Sequence, residues 1–163
     1  MRGNFFNAVF GSAVAGAVIA GIKKTKEWEP PPEADKYLQI FAKVERENRI
    51  PAKLLLRVAY QESRFRGDII TGSLKSSAGA VGIMQIVPRW HPNVDPLNEV
   101  EAIKYAGKYL SKLNRRFGSW SDALAAYNWG QGNLSRFKRG EIRKMPLETR
   151  SYIKEITKDV RVV

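Results

Sequence analysis

The residues of this chain that could do chemistry are concentrated between Val58 and Gln85. The run Val-Ala-Tyr-Gln-Glu-Ser-Arg-Phe at 58–65 holds one acid, Glu62, and a glycine-punctuated stretch then leads to an amide, Gln85. Leu55, Val58, Ala59 and Glu62 fall at i, i+3, i+4 and i+7, one stripe of a helix, so Glu62 continues an apolar face instead of a wet one. A carboxyl on such a face is desolvated, its pKa rises, and it stays protonated near neutral pH. A general acid needs that property to protonate a poor leaving group such as a glycosidic oxygen. The competing reading is a structural carboxylate paired with Arg57, Arg64 or Arg66.

The remaining inventory narrows the chemistry. Two-carboxylate glycoside cleavage requires a second acid roughly 5–9.5 Å from the first, and the acids next in sequence, Asp68 and Asp95, lie in stretches read as loops. The chain has no cysteine and a single histidine, His91 between Trp90 and Pro92, so no metal site and no cofactor is expected. Trp90, Trp120 and Trp129 are either sugar-stacking walls or core. The basic run from Arg136 to Lys144 reads as a solvated face or as a contact for anionic wall polymer or lipid headgroups.

These residues need a frame, and the hydrophobic periodicity makes that frame mainly α. A helix is expected over 35–48, with Tyr37, Leu38, Phe41 and Val44 on one face, and a second over 52–63, opened by Pro51. The segment 67–82 contains four glycines with serines between them and reads as irregular, followed by a short apolar segment at 83–87. A long helix over 98–117 buries Ile103, Ala106, Leu110 and Leu113. Ser119 caps the next, which carries Trp120, Leu124 and Tyr127. Gly130 and Gly132 interrupt it. Pro146 opens a last helix with Tyr152, Ile153, Ile156 and Val160 inward.

Three parts are expected: a hydrophobic membrane-anchor or signal-like segment at 1–26, a Pro-rich linker at 27–33, and the catalytic domain at 34–163. Residues 5–22 carry no charge and would span about 27 Å as a helix, just enough for a bilayer core. Ser12, Gly16 and Ala20 recur every fourth residue, as small residues do where membrane helices approach. A retained membrane helix, a cleaved signal peptide and a buried helix are the three readings of this segment. The whole chain is +12, and residues 34–163 alone hold 24 Lys+Arg against 13 Asp+Glu, so a polyanionic partner is favoured. No motif beyond charge supports nucleic acid, which would bind nonspecifically.

Four ordered motifs then carry a resemblance: Glu62-Ser63-x-Phe65; Ser76-x-x-Gly79-Ala80-x-Gly82-Ile83-Met84-Gln85; Ala125-Ala126-Tyr127-Asn128-x-Gly130-x-Gly132; and Glu148-Thr149-Arg150-x-Tyr152-Ile153. From about Tyr37 to the C-terminus the chain resembles the lytic transglycosylase domain of the soluble-lytic-transglycosylase type, a relative of goose-type lysozyme. The resemblance implies a lysozyme-like helical domain that cleaves the β-1,4 bond between N-acetylmuramic acid and N-acetylglucosamine in peptidoglycan without adding water. In that family the muramyl O6 attacks its own anomeric carbon to give a 1,6-anhydro end. One Glu, here Glu62, acts first as acid and then as base.

The resemblance also implies roles for single residues. Ser76 would polarise the glycan near the cleaved bond, with Ser73 and Ser77 as alternatives. Gln85 would line the cleft, Tyr127 would orient Glu62 or meet an acetamido group with Asn128 beside it, and Tyr152 would lie close to the acid. Each has a structural alternative: a turn serine, a capping amide, a core tyrosine. Glu148 and Arg150 are expected to fix their helix. Two positions depart from the family pattern: Val87 stands where a methionine is usual, and Trp129 where a small residue is usual, which would let it stack on a sugar or restrict a subsite. The expected setting is local wall opening at the cell envelope, by a virion-associated ejection protein or a secretion accessory, tethered through residues 5–22 and open to self-association or a larger assembly. The alternatives are a hydrolytic muramidase and a non-catalytic glycan-binding component.

Overall fold

In the computed structural model, the residues described are 28–158 and 160–162. The hydrophobic segment expected at 5–22 lies outside them. Among the described residues no helix is long and apolar enough to cross a membrane.

The helical turn begins inside the proline run. Pro30 and Pro31 are irregular, Pro31 being extended (φ −69°, ψ 158°), but Pro32 opens a 3-10 helix that continues to Tyr37. Proline suits a first turn because its missing N–H is an orphan there in any case. Helix α1 (Leu38–Glu47) follows, and its apolar stripe, Phe41 and Val44, is buried as its spacing requires.

Helix α2 (Leu54–Ser63) starts two residues later than the sequence predicts. Lys53 is left-handed (φ 68°), and the open amides beyond it are met by a side chain from α1. The Glu45 carboxylate, only 5% exposed, accepts from the N–H groups of Lys53 (2.9 Å), Leu55 (2.9 Å) and Leu56 (3.2 Å). An anion facing unsatisfied helix N–H groups caps the helix and meets the positive end of its dipole. Burial nonetheless holds the Glu45 carboxyl above the ordinary carboxylate range, with these three hydrogen bonds pulling the other way.

A short helix, α3 (Gly67–Ile70), and a loop lead to an isolated antiparallel bridge between Val81 and Ile86. This hairpin-like turn presses Ile83 and Met84 into the core, both fully buried. Gly82 is obligatory there. Its φ is +80°, and a Cβ would sit 1.9 Å from the Pro96 carbonyl oxygen.

Helix α4 (Glu99–Phe117) is capped by Asn98, whose Oδ1 accepts from Glu101 N at 3.1 Å, and is ended by left-handed Gly118. Gly107 lets it approach α1, since a Cβ would lie 2.3 Å from a Val44 methyl. Helix α5 (Trp120–Trp129) is capped by Ser119 as expected. Ala123, Leu124, Ala125 and Ala126 are all buried, because α5 is the central helix, packed against α4, α6 and α7. Small alanines allow three neighbours at once.

Gly130 breaks α5, but Gly132 does not interrupt anything. It lies inside α6 (Gln131–Lys138), where the packing of buried Leu134 outweighs the roughly 1 kcal/mol that glycine costs a helix. Helix α7 (Leu147–Thr157) begins after Pro146 and closes the domain against α5 and α2.

Candidate active site

The end of α2 fixes Glu62. Ser63 is fully buried, and its Oγ donates to Ala59 O (3.1 Å) and accepts from Phe65 N (3.3 Å). Arg64 and Phe65 are both left-handed (φ 52° and 55°), which ends the helix at the Glu-Ser pair itself. Phe65 then drops into a ring of Tyr37, Phe41 and Tyr60, with centroids 6.1–6.3 Å away. Two successive left-handed non-glycine residues cost on the order of 1–3 kcal/mol each, and the aromatic plug holds them in place.

Glu62 itself is half-buried, and its partner comes from α7 instead of from an arginine. Tyr152 Oη donates to Glu62 Oε1 at 2.7 Å. Of the expected arginine partners, Arg64 donates to Gln61, Arg66 to Asp68, and Arg57 to the Glu155 carbonyl. Burial pushes the Glu62 carboxyl up to about 7. The Tyr152 hydrogen bond opposes that rise, and the negative charge of Glu148 adds to it. Near neutral pH this carboxyl can therefore give a proton and take one back. Tyr127 and Tyr152 are held well above the ordinary tyrosine range, by burial first and then by the Glu62 charge, so both stay neutral hydroxyls.

Helix α5 braces the site from the other side. Tyr127 Oη donates to the Met84 carbonyl (3.0 Å), tying α5 to the 81–86 turn, and Thr149 Oγ1 donates to Asn128 Oδ1 (2.8 Å), tying α5 to α7. Gln85 is left-handed (φ 46°), and its amide donates to Gly82 O at 3.1 Å. Ser76 lies on an exposed turn, where its Oγ accepts from Ala80 N (2.9 Å), the bond of a turn serine. Ser73 is occupied similarly, 3.0 Å from Thr71 Oγ1. The structure thus brings Glu62, Tyr127 and Tyr152 together and sets Gln85, Asn128 and Trp129 along an adjoining cavity, with Ser76 outside its walls.

That cavity has a volume of about 860 Å³ and is walled by Gln85, Val87, Tyr109, Tyr127, Asn128 and Trp129 among others. Tyr105 and Tyr109, one turn apart on α4, are wall residues that sequence reasoning missed. Their i, i+4 spacing beside the core stripe was the available signal. Asp68 is no partner for Glu62: it is exposed and bonded to Arg66, whose guanidinium holds its carboxyl below the ordinary range. Among the described residues no three His, Asp or Glu side chains converge as a metal site.

A helical domain whose half-buried carboxyl is raised toward neutrality and bonded to a tyrosine, with an aromatic-walled cavity adjoining through Tyr127, has the arrangement that a glycan-cleaving enzyme needs. A match to the Transglycosylase SLT domain family covers residues 39–146, and the chain belongs to that family. It is also 30% identical, over 136 aligned residues, to the peptidoglycan transglycosylase gp16 of Escherichia phage T7. The alignment takes in 74% of this chain and only 10% of the phage protein's length.

Proposed function

We propose that this chain is a peptidoglycan lytic transglycosylase in which Glu62 is the single acid and base. The observation that carries this reading is the Glu62 carboxyl, bonded to Tyr152 and raised to about 7 by burial. In its protonated form Glu62 donates to the oxygen bridging N-acetylmuramic acid and N-acetylglucosamine, and the C1–O bond breaks. As the carboxylate, it then accepts the proton of the muramyl O6 hydroxyl while that oxygen bonds to C1. The products are an N-acetylglucosamine end with a free 4-hydroxyl and a 1,6-anhydromuramyl end. The proton count closes on Glu62, and no water is consumed. Tyr152 steadies the carboxylate between the two steps, and neutral Tyr127 holds the 81–86 turn that presents Gln85 to the cleft.

The domain division at 1–26, 27–33 and 34–163 belongs to the same reading, with the hydrophobic segment as a tether at the envelope. The phage relative supports delivery by a virion to a host wall and local opening of that wall. One alternative has a specific observation behind it. Glu148, exposed on the first turn of α7, is close enough for its charge to act on Glu62, and a second carboxylate could activate water and make a muramidase. Digestion of purified sacculi followed by mass analysis separates the two. Anhydro ends are expected, and reducing ends would overturn the lytic reading. Retained activity in Glu62→Gln would remove Glu62 from its role.

A further inference from the structure

The bond between Tyr152 and Glu62 depends on how α7 lies against α2, and a second link joins the same two helices away from the acid. Arg57, in the first turn of α2, is only 2% exposed, and its guanidinium donates to the Glu155 carbonyl oxygen in the last turn of α7. The last carbonyls of a helix have no partner within it, and a cation there meets the negative end of the dipole. On α2 the order is Arg57 then Glu62, and on α7 it is Tyr152 then Glu155. The two links therefore span one antiparallel helix pair, Arg57 to Glu155 at one end and Glu62 to Tyr152 at the other.

A buried guanidinium needs cover on its faces as well as donors' partners at its edges. Trp28 supplies a face: its ring centroid lies 4.5 Å from the Arg57 guanidinium carbon. Tyr60 is 5.6 Å from that carbon, and the Trp28 and Tyr60 rings are 5.5 Å apart. Trp28 belongs to no helix. It lies in the stretch expected as a linker, before Pro30 and the extended Pro31, yet it packs on the core. Tyr60 in turn meets Phe65 (6.3 Å), the plug at the left-handed end of α2 beside Glu62. Trp28 thus bears on both ends of the helix that carries the acid.

We infer that Trp28 and Arg57 are positioning residues: Trp28 clamps the Arg57 guanidinium onto the Glu155 carbonyl, and this second tie holds α7 where its Tyr152 hydroxyl stays on Glu62. Neither residue touches substrate. The inference rests on the single-acid reading above and makes the geometry of that acid depend on the stretch leading into the helical domain. The groups that face Glu62 are Tyr152 and Glu148 from α7 and Tyr127 from α5. Of the two from α7 the Tyr152 bond acts more strongly, so a slip of α7 that breaks it and leaves Glu62 buried raises the titration of the carboxyl.

The test compares Trp28→Leu with Trp28→Phe in the full chain. Leucine keeps apolar cover but offers the cation no aromatic face, and phenylalanine keeps one. Trp28→Leu is expected to lower kcat on soluble, uncrosslinked glycan strands about fivefold at unchanged KM, with Trp28→Phe recovering most of the loss. Carbon-13 NMR of the Glu62 carboxyl should show its titration move up in Trp28→Leu. Both effects should vanish in the Tyr152→Phe background, where the bond is already gone. A tryptophan that merely stabilises the fold would lower the melting temperature and leave kcat and the Glu62 titration alone, or would impose the same loss in both backgrounds. Either result overturns the clamp, as does a titration that is unmoved or lowered. Sacculus digestion by the unmutated chain is scored separately. Digestion with kcat and titration indifferent to Trp28 sinks the clamp alone, and a titration that follows Trp28 in a chain that digests nothing sinks the catalytic reading alone.

Discussion

Replacing Glu62 by Gln is expected to kill turnover and, above neutral pH, to stabilise the fold. The two effects share one cause. The carboxyl has its ordinary pKa of 4.5 in the unfolded chain and about 7 in the folded one. Below 4.5 both states hold the proton, and ionisation costs the fold nothing. Between 4.5 and 7 the folded state alone holds it, so unfolding releases a proton and native stability falls by about 1.4 kcal/mol per pH unit. Above 7 the full penalty, roughly 3 kcal/mol, is present. The Gln amide does not ionise, and its oxygen can still accept from Tyr152. Urea unfolding of both proteins at half-unit steps from pH 4 to 9 reads the difference directly. Any fixed cost of the amide is a constant offset, and the other titrations cancel. The stability difference should tilt toward Gln through this window and level off near 7, by about 10 °C in melting temperature if read thermally. A flat difference, or one tilting the other way, would refute the desolvated-acid argument. It would leave Glu62 as an ordinary carboxylate that ionises as freely folded as unfolded.

The remaining expectations are simpler. Tyr152→Phe removes the hydrogen bond that favours the Glu62 carboxylate, so the alkaline limb of the kcat/KM profile should move above pH 7, whereas Glu148→Gln removes a like charge and should move it down. Limbs that stay put in both variants would mean that Glu62 does not set the profile. Glu45→Ala strips the acceptor from three N–H groups at the start of α2 and should cost roughly 2–4 kcal/mol in chemical denaturation. Gly82→Ala adds a Cβ 1.9 Å from the Pro96 carbonyl oxygen at a φ of +80°, so it should lower the melting temperature and open the 81–86 turn to amide exchange.

The sequence disclosed what periodicity and local capping encode. The stripe Leu55-Val58-Ala59 is fully buried, and the cap Ser119 stands where its residue type placed it, whereas Asn98, expected as the first residue of its helix, is that helix's cap. It concealed what depends on partners far along the chain. The start of α2 is set by Glu45, eight residues before the first amide that it holds, so no local signal at Pro51 could give it. The Glu62–Tyr152 bond joins residues 90 apart. From the helix stripe alone an arginine-paired carboxylate was the stronger reading of Glu62, the motifs reversed it, and the arginines beside it turn out to be engaged elsewhere. Motif resemblance brought Tyr152 near the acid but could not say that its hydroxyl would pull the pKa down while burial pushed it up. That opposition has a functional consequence. An acid lifted by burial alone would hold its proton too firmly to return as a base, and one held by a cation would lose it before the leaving oxygen needs it. On the proposed mechanism a neutral tyrosine hydroxyl is the intermediate partner: it favours the carboxylate enough for one group to serve both halves of the reaction, and it carries no charge that would ionise that group permanently.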